Sequence, residues 1–305
     1  MKKDNLITVI MLTYNREALV SRAIECVLSQ TFHDFEFIIV DNGSTDRSGI
    51  IADEYERNDE RIRVIHRVRG NIGSGRNVGL NAANGKNIAF VDDDDWFEPD
   101  YLEFLYNLAA EYDADVSICG ATDKAFDEKC IMNAEESLLR LFWRKHYNVQ
   151  FPTKLIRREL FSNNRFSESA KYDDIELMPR ILADAGRIAY HGLPKYTFYR
   201  HENNNSKWTT YHNLLTSETL NEYLKAYRER TETLSVRFPK SAAAWKYFEW
   251  SFMISMVEKI NRLSIGCCEN QLETITNELL VSRSIFLESI YIQEFEKEWM
   301  EQYIK

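Results

Sequence analysis

The chain has 305 residues, 44% hydrophobic and 28% charged, the composition of an ordinary globular protein with enough material for a large core. Its formal net charge of −10 excludes a broad nucleic-acid-binding face, which needs clustered Lys and Arg, but not an anionic ligand neutralised locally by a cation. Five cysteines form no CxxC pair, which points to core thiols in a reducing compartment rather than to a disulfide framework.

The first third alternates strand and helix signals. Residues 6–12 form a short apolar, β-branched run, as expected of a strand buried on both faces. Leu19, Ala23, Ile24, Val27 and Leu28 then fall on one helical face. A second strand over 35–40 ends at Asp41, and the turn Asn42-Gly43-Ser44-Thr45-Asp46 leads into a polar helix reaching about Arg57. Residues 61–65 read as a third strand. The loop Gly70-Asn71-Ile72-Gly73 opens a helix over 74–84 with Gly85 as its C-cap, and 87–91 is the fourth strand. Further on, 115–119 is a predicted strand, 134–145 a helix, 173–185 a helix with Asp173 and Asp174 at its start, and 187–191 and 196–200 two short strands. Beyond Ser206 only Pro239 and Gly266 interrupt long helical periodicity, so we expect a helical C-terminal extension over 207–305. Its aromatics Trp245, Tyr247, Phe248, Trp250 and Phe252 read as packing residues, with an acceptor pocket or a homodimer face as the minority reading.

No stretch approaches the roughly 20 apolar residues of a membrane span, and no N-terminal signal is visible. The expectation is a soluble, cytoplasmic protein, with room for docking at the inner face of the membrane.

Strands joined by helices imply right-handed crossovers and a mostly parallel sheet covered on both faces, with ligands beyond the C-terminal strand ends. Polar groups gather at that edge: Thr13, Tyr14 and Arg16 after strand one, Asp41 after strand two, Arg67 to Asn71 after strand three, and Asp92, Asp93, Asp94 and Asp95 after strand four. Four consecutive carboxylates repel one another by about 1 kcal/mol per close pair even at water-like dielectric. A divalent cation such as Mg²⁺ or Mn²⁺ removes that cost, held by one or two carboxylates plus substrate phosphates. In an extended segment Asp92 and Asp94 point the same way and can serve one site. The bland alternative is a solvated turn in which Asp95 or Glu98 caps the helix starting near Pro99.

Four segments carry a more specific message: Val9-Ile10-Met11-Leu12-Thr13-Tyr14-Asn15-Arg16, Ile38-Ile39-Val40-Asp41-Asn42-Gly43-Ser44-Thr45-Asp46, Gly75-Arg76-Asn77-Val78-Gly79-Leu80 and Ala89-Phe90-Val91-Asp92-Asp93-Asp94-Asp95. Their order and spacing resemble the family 2 inverting glycosyltransferases of GT-A fold, with Asp173-Asp174 and Tyr199-Arg200-His201 as further matches. The resemblance spans about residues 5–206. It implies an α/β, Rossmann-like catalytic domain over 1–206 that moves a sugar from a nucleotide-sugar, with UDP favoured, to a glycan or lipid-linked hydroxyl. That is hexosyl or N-acetylhexosaminyl transfer, as in polysaccharide biosynthesis.

Residue by residue, the resemblance implies that Thr13, Tyr14 and Arg16 line the nucleotide pocket and that Asp41 accepts from a uracil imide N–H. Arg76 lies near the sugar and phosphates, Asp94 binds the metal, and Asp92 binds ribose or the metal shell, with Asp93 beside it. Asp174 is the general base, its basicity raised by a neighbouring carboxylate. His201 completes the metal shell or contacts the diphosphate, and Lys154 and Glu168 are weaker candidates for acceptor or phosphate contact. The departures are Asn42 in place of a second acidic residue, Asp173 in place of a glutamate, Gly75 where alanine is usual, and Asp93 where serine or another small residue is common. Two rival readings stand beside this one: a non-catalytic sugar-nucleotide-binding protein of the same fold, and a nucleotidyltransferase. The second would carry a Gly-rich basic loop after strand one, and Leu12-Thr13-Tyr14-Asn15-Arg16 has neither glycine nor lysine.

Overall fold

The computed structural model of the chain describes residues 6–123, 125–168, 173–200 and 215–305. The chain divides into two compact units, Met1–Tyr199 and Arg200–Lys305.

The first unit is built on one mixed sheet. Its strands are β1 (Ile7–Thr13), β2 (Phe35–Asp41), β3 (Ile62–His66), β4 (Asn87–Asp92), β5 (Trp96–Phe97), β6 (Val116–Ala121), β7 (Lys129–Met132), β8 (Lys154–Arg157) and β9 (Ile188–Thr197). Their spatial order is β3-β2-β1-β4-β8-β6-β9-β5, with β7 beside β9. The first four run parallel, joined by α1 (Val20–Leu28), α2 (Ser48–Asn58) and α3 (Ile72–Ala82). The apolar runs of β1, β2 and β4 are buried on both faces, as crossover helices require, and α1 closes one side with Val20, Ala23, Ile24 and Val27. α4 (Tyr101–Tyr112), α5 (Ala134–Trp143) and α6 (Asp173–Asp184) complete the unit.

Strand register aligns the polar ends of the sheet. Thr13 lies beside Asp41, Leu12 beside Asp92, and Asp41 beside His66, so these strand ends form one row.

Three local expectations change. The helix α3 starts at Ile72, because the Asn71 side chain accepts from the Ser74 N–H at 2.8 Å and sets the N-cap. It ends at Ala82, so Gly85 is no C-cap; its N–H donates instead to Thr8 Oγ1 at 2.8 Å against β1. The two short strands expected over 187–200 are one strand, β9, with register shifts opposite Gly120; Gly192 bonds to Phe126 and Glu128, and Pro194 lacks a ladder N–H. The four-residue β8, which no sequence pattern predicts, enters antiparallel between β4 and β6.

The second unit consists of α7 (Ser217–Arg237), α8 (Ala242–Leu263), α9 (Glu269–Val281), α10 (Arg283–Leu287) and α11 (Glu294–Tyr303) among its described residues. The helix α8 is central and buries Trp245, Tyr247, Phe248 and Trp250, while Phe252 stacks on Tyr227 with ring centroids 4.0 Å apart. Glu296 is 1% exposed and accepts from Tyr247 Oη at 2.6 Å and Ser251 Oγ at 2.5 Å. No helix among the described residues is long and apolar enough to cross a membrane.

Candidate active site

The row of strand ends carries the site. The chain leaves β1 through Asn15, which takes a left-handed conformation (φ 51°) that Asn tolerates better than most residues. Its N–H donates to Ser44 Oγ at 3.1 Å and its Oδ1 accepts from Thr45 N–H at 2.8 Å, so the loops after β1 and β2 brace each other. Gly43 (φ +80°) lets the second loop pass beneath Arg69; a Cβ there would lie 2.6 Å from the Arg69 nitrogen.

Asp41 is buried and has two partners in place. Its Oδ1 accepts from Ser44 N–H at 3.0 Å, and its Oδ2 lies 2.9 Å from His66 Nδ1. The other ring nitrogen of His66 lies 2.8 Å from Asp53 Oδ1 on α2, and the two carboxylates raise the His66 pKa. Asn42 spends its amide on the backbone of Gly70, donating to its carbonyl at 2.8 Å and accepting from its N–H at 3.1 Å. Its replacement of an acidic residue thus ties two loops together. Over the Tyr14 ring stands the Arg69 guanidinium, 4.2 Å from the centroid.

The acidic segment is not extended. Asp93 and Asp94 form a turn, and Asp95 N–H donates to the Asp92 carbonyl at 3.4 Å, so the strand alternation expected to align Asp92 with Asp94 does not apply. Each carboxylate has a distinct surrounding. Asp93 accepts from Tyr14 N–H at 3.3 Å and lies 3.6 Å from Arg16 Nε, which is also 3.9 Å from Asp94. Arg16 therefore stands against the acidic turn. Asp95 accepts from Tyr199 N–H at 2.7 Å and caps no helix; the N-cap of α4 is Asp100. Burial, with the Asp94 charge next, pushes the Asp93 carboxyl up to about 7. Burial and the Asp92 charge push Asp95 up to about 8. Asp92 rises to about 6, through burial opposed by Arg76 and reinforced by Asp94 and Asp174.

Arg76 joins this cluster to the far side of the site. It is buried, its Nη1 donates to Asp174 Oδ1 at 2.6 Å, and its Nη2 lies 3.5 Å from Asp92. Its guanidinium lies 5.3 to 5.8 Å from the ring centroids of Phe90, Phe151 and Phe166. The next residue, Asn77, clasps the backbone of Phe166, donating to its carbonyl at 2.9 Å and accepting from its N–H at 3.1 Å. Gly75 accommodates Leu12: a Cβ there would overlap a δ-methyl of that residue, which accounts for the missing alanine.

The structure also brings in residues that the sequence did not single out. Arg22 stacks between Trp96 and Tyr199, 4.7 and 5.0 Å from their centroids, and donates to the Asp94 carbonyl. The Tyr196 hydroxyl accepts from Asp92 N–H at 3.1 Å, fixing the end of β4. His66 is the third; its position at the last residue of β3, in register with Asp41, was the available signal. Lys154 turns inward, donating to the carbonyls of Asn148 and Gln150, and burial lowers its ammonium to about 7. Glu168 Oε1 lies 3.4 Å from Asn77 Nδ2. His201, with residues 201–214, and the side chain of Asp173 lie outside the described residues.

Among the described residues no three His, Cys, Asp or Glu side chains are grouped as a metal-binding set. The donor chemistry nevertheless suits Mg²⁺ or Mn²⁺, which need only one or two protein carboxylates when phosphate oxygens supply the rest. Among the described residues, Asp92, Asp93, Asp94 and Asp174 lie against the guanidiniums of Arg16 and Arg76.

Residues 8–167 match the sequence profile of Glycosyl transferase family 2. Glycosyltransferase GlyA of Streptococcus pneumoniae serotype 4 is 32% identical over 236 residues, 76% of this chain, although the match spans only 32% of GlyA's own length. Glycosyltransferase GlyG of the same organism is 32% identical over 217 residues, covering 65% of this chain and 71% of GlyG. The fold is that of TarS from S. aureus, solved as residues 1–349 with UDP-GlcNAc: TM-score 0.66 at 17% identity, over 97% of this chain and 91% of that one. It is also similar to the mannosyltransferase PcManGT from Pyrobaculum calidifontis in complex with GDP-Man and Mn²⁺, with TM-score 0.61 at 15% identity over 99% and 86% of the two chains. The chain shares their GT-A architecture and belongs to glycosyl transferase family 2.

Proposed function

We propose that this chain is an inverting glycosyltransferase that moves a sugar from a nucleotide-sugar, UDP-linked in our reading, to a hydroxyl of a glycan or lipid-linked acceptor. The donor chemistry is assigned to residues 1–206. One observation carries the reading: the buried Arg76 guanidinium lies between Asp92, at the end of β4, and Asp174, at the start of α6. A carboxylate for the donor side and a carboxylate for the acceptor side thus share one cation.

The roles we assign are these. Asp41 accepts from the imide N–H of the base with a lone pair left over by Ser44, and Tyr14 and Arg69 border the same slot. A Mn²⁺ or Mg²⁺ held by Asp94 and Asp92 together with the diphosphate would neutralise the charge of the departing nucleoside diphosphate. Asp174 takes the proton of the acceptor hydroxyl. The acceptor oxygen bonds to the anomeric carbon from the face opposite the diphosphate, and the carbon–phosphate-oxygen bond breaks, which inverts the centre. Arg76 contributes orientation: with Asp174 Oδ1 held by the guanidinium, the carboxylate plane is fixed for proton transfer. The residue expected to tune Asp174 was its neighbour Asp173. Among the described residues, the Arg76 guanidinium touches it.

The test is a screen of UDP- and GDP-sugars with Mn²⁺, reading hydrolysis and thermal stabilisation, followed by Asp174→Asn. The expected result is a loss of turnover of about 10³-fold with UDP affinity within about twofold of the parent. No response to any donor with metal present would remove the enzymatic reading, and retained turnover in Asp174→Asn would remove the base assignment.

A further inference from the structure

His66 is absorbed by none of these roles, yet its ring is in direct contact with the carboxylate proposed to read the nucleobase. It ends β3 in register with Asp41, and its ring lies between two carboxylates, Nδ1 to Asp41 Oδ2 at 2.9 Å and Nε2 to Asp53 Oδ1 at 2.8 Å. Gly49 keeps the approach open: a Cβ there would lie 2.6 Å from Asp41 Oδ2 and 3.2 Å from His66 Cε1. The charged groups facing the ring are Asp41 from β2 and Asp53 from α2. Glu56 on α2 is engaged by Val64 N–H, and Arg67, next on the chain, donates to Ser74 Oγ.

We propose that His66 is a positioning residue for Asp41: it clamps one oxygen of the carboxylate that reads the nucleobase, and so makes donor affinity depend on the charge of its own ring. The inference rests on the donor reading proposed for residues 1–206. The chemistry is a matter of proton count. A neutral imidazole has one N–H and one lone pair, so between two carboxylates it can donate to only one and must turn a lone pair toward the other. The imidazolium donates to both. When His66 is charged, Asp41 Oδ2 is held, Oδ1 is held by Ser44 N–H, and the remaining lone pair of Oδ1 points where Ser44 and the ring leave it. When His66 is neutral, Asp41 competes with Asp53 for a single proton and the carboxylate loses its fixed plane. The same two carboxylates hold the ring protonated to higher pH than an ordinary histidine, so the change falls above the usual histidine range.

The experiment measures UDP affinity by calorimetry, with Mn²⁺ present, between about pH 6 and about pH 9 for the parent, His66→Gln and Asp53→Asn. The His66 ring is followed by NMR in the nucleotide-free parent. The His66→Gln variant carries the nucleotide's own titration and that of the acidic turn, so the difference from the parent isolates His66. We expect the parent to lose affinity about tenfold more than His66→Gln as pH rises through the His66 midpoint. Asp53→Asn should retain its affinity at high pH, because a neutral ring can then give its one N–H to Asp41. Equal pH profiles for parent and His66→Gln, with UDP bound by both, would overturn this inference and leave the donor reading standing. Absence of UDP binding by the parent at every pH would overturn the donor reading and this inference with it. Should His66→Gln fold poorly, Asp53→Asn decides: a profile identical to the parent's overturns the clamp.

Discussion

Arg76 shows what one side chain has to satisfy here. Its guanidinium is planar with several N–H groups, so it can donate to Asp174 and reach Asp92 at once while its faces rest among phenylalanine rings. A lysine carries equal charge but only a point donor. Arg76→Lys should therefore lower kcat about 10- to 100-fold with a smaller change in donor affinity, as steady-state kinetics beside UDP calorimetry would show. An unchanged kcat would mean that the bridge positions nothing. Asp93 makes a separate prediction about pH. Its carboxyl, raised by burial to about 7, is protonated in the folded chain at pH values where the unfolded chain has already lost that proton. Stability therefore falls as pH rises from the ordinary carboxylate range through about 7. Asp93→Asn removes that loss, so metal-free melting temperatures at about pH 5 and about pH 8 should lie closer together than in the parent. Equal slopes for the two proteins would show that Asp93 does not titrate in this window. The types of these residues were legible in sequence because carboxylates after a buried strand are costly. Their partners were not, because Arg16–Asp93 and Arg76–Asp174 join positions far apart in the chain.

Among the elements, β1, β2, β3 and β4 were readable because each is dominated by apolar, often β-branched residues and ends on polar ones, and their C-terminal ends differ from expectation by one residue. The strand β8 was hidden because four residues bounded by Lys154 and Arg157 carry no periodicity; only pairing with β4 and β6 makes it a strand. The strand β9 was read as two because Gly192 and Pro194 look like punctuation, and the bulge that absorbs them is a tertiary feature. The turn after β2 tests how far loop geometry controls the site. Gly43 combines a left-handed φ of +80° with a backbone neighbour that cannot move aside cheaply. Gly43→Ala should cost about 1–3 kcal/mol in denaturant melts and weaken UDP binding, since the loops after β2 and β3 would separate. An alanine variant as stable as the parent would show that this close approach is dispensable.

At the scale of the molecule, the two units carry different kinds of polar interior. In the first, burial and neighbouring carboxylates raise the carboxyls at the strand ends, the kind of perturbation that gathers at functional sites. In the second, the buried Glu296 is fully employed: besides Tyr247 and Ser251, it accepts from Gln293 N–H at 2.9 Å and closes the capping box that starts α11. Helical periodicity made these helices predictable, but it gave no hint of the polar contact that ties α11 to α8. Removing that carboxylate takes the acceptor from Ser251 Oγ and Gln293 N–H and leaves Tyr247 Oη with the Tyr291 carbonyl at 2.8 Å, so Glu296→Ala should lower stability by about 1–3 kcal/mol. If the donor chemistry belongs to residues 1–206 as proposed, UDP affinity should stay within about twofold of the parent at temperatures where the variant is folded. Calorimetric melting and UDP titration on the same sample separate the two effects. A loss of nucleotide affinity that tracks the loss of stability would instead place part of the donor site under the control of the helical unit.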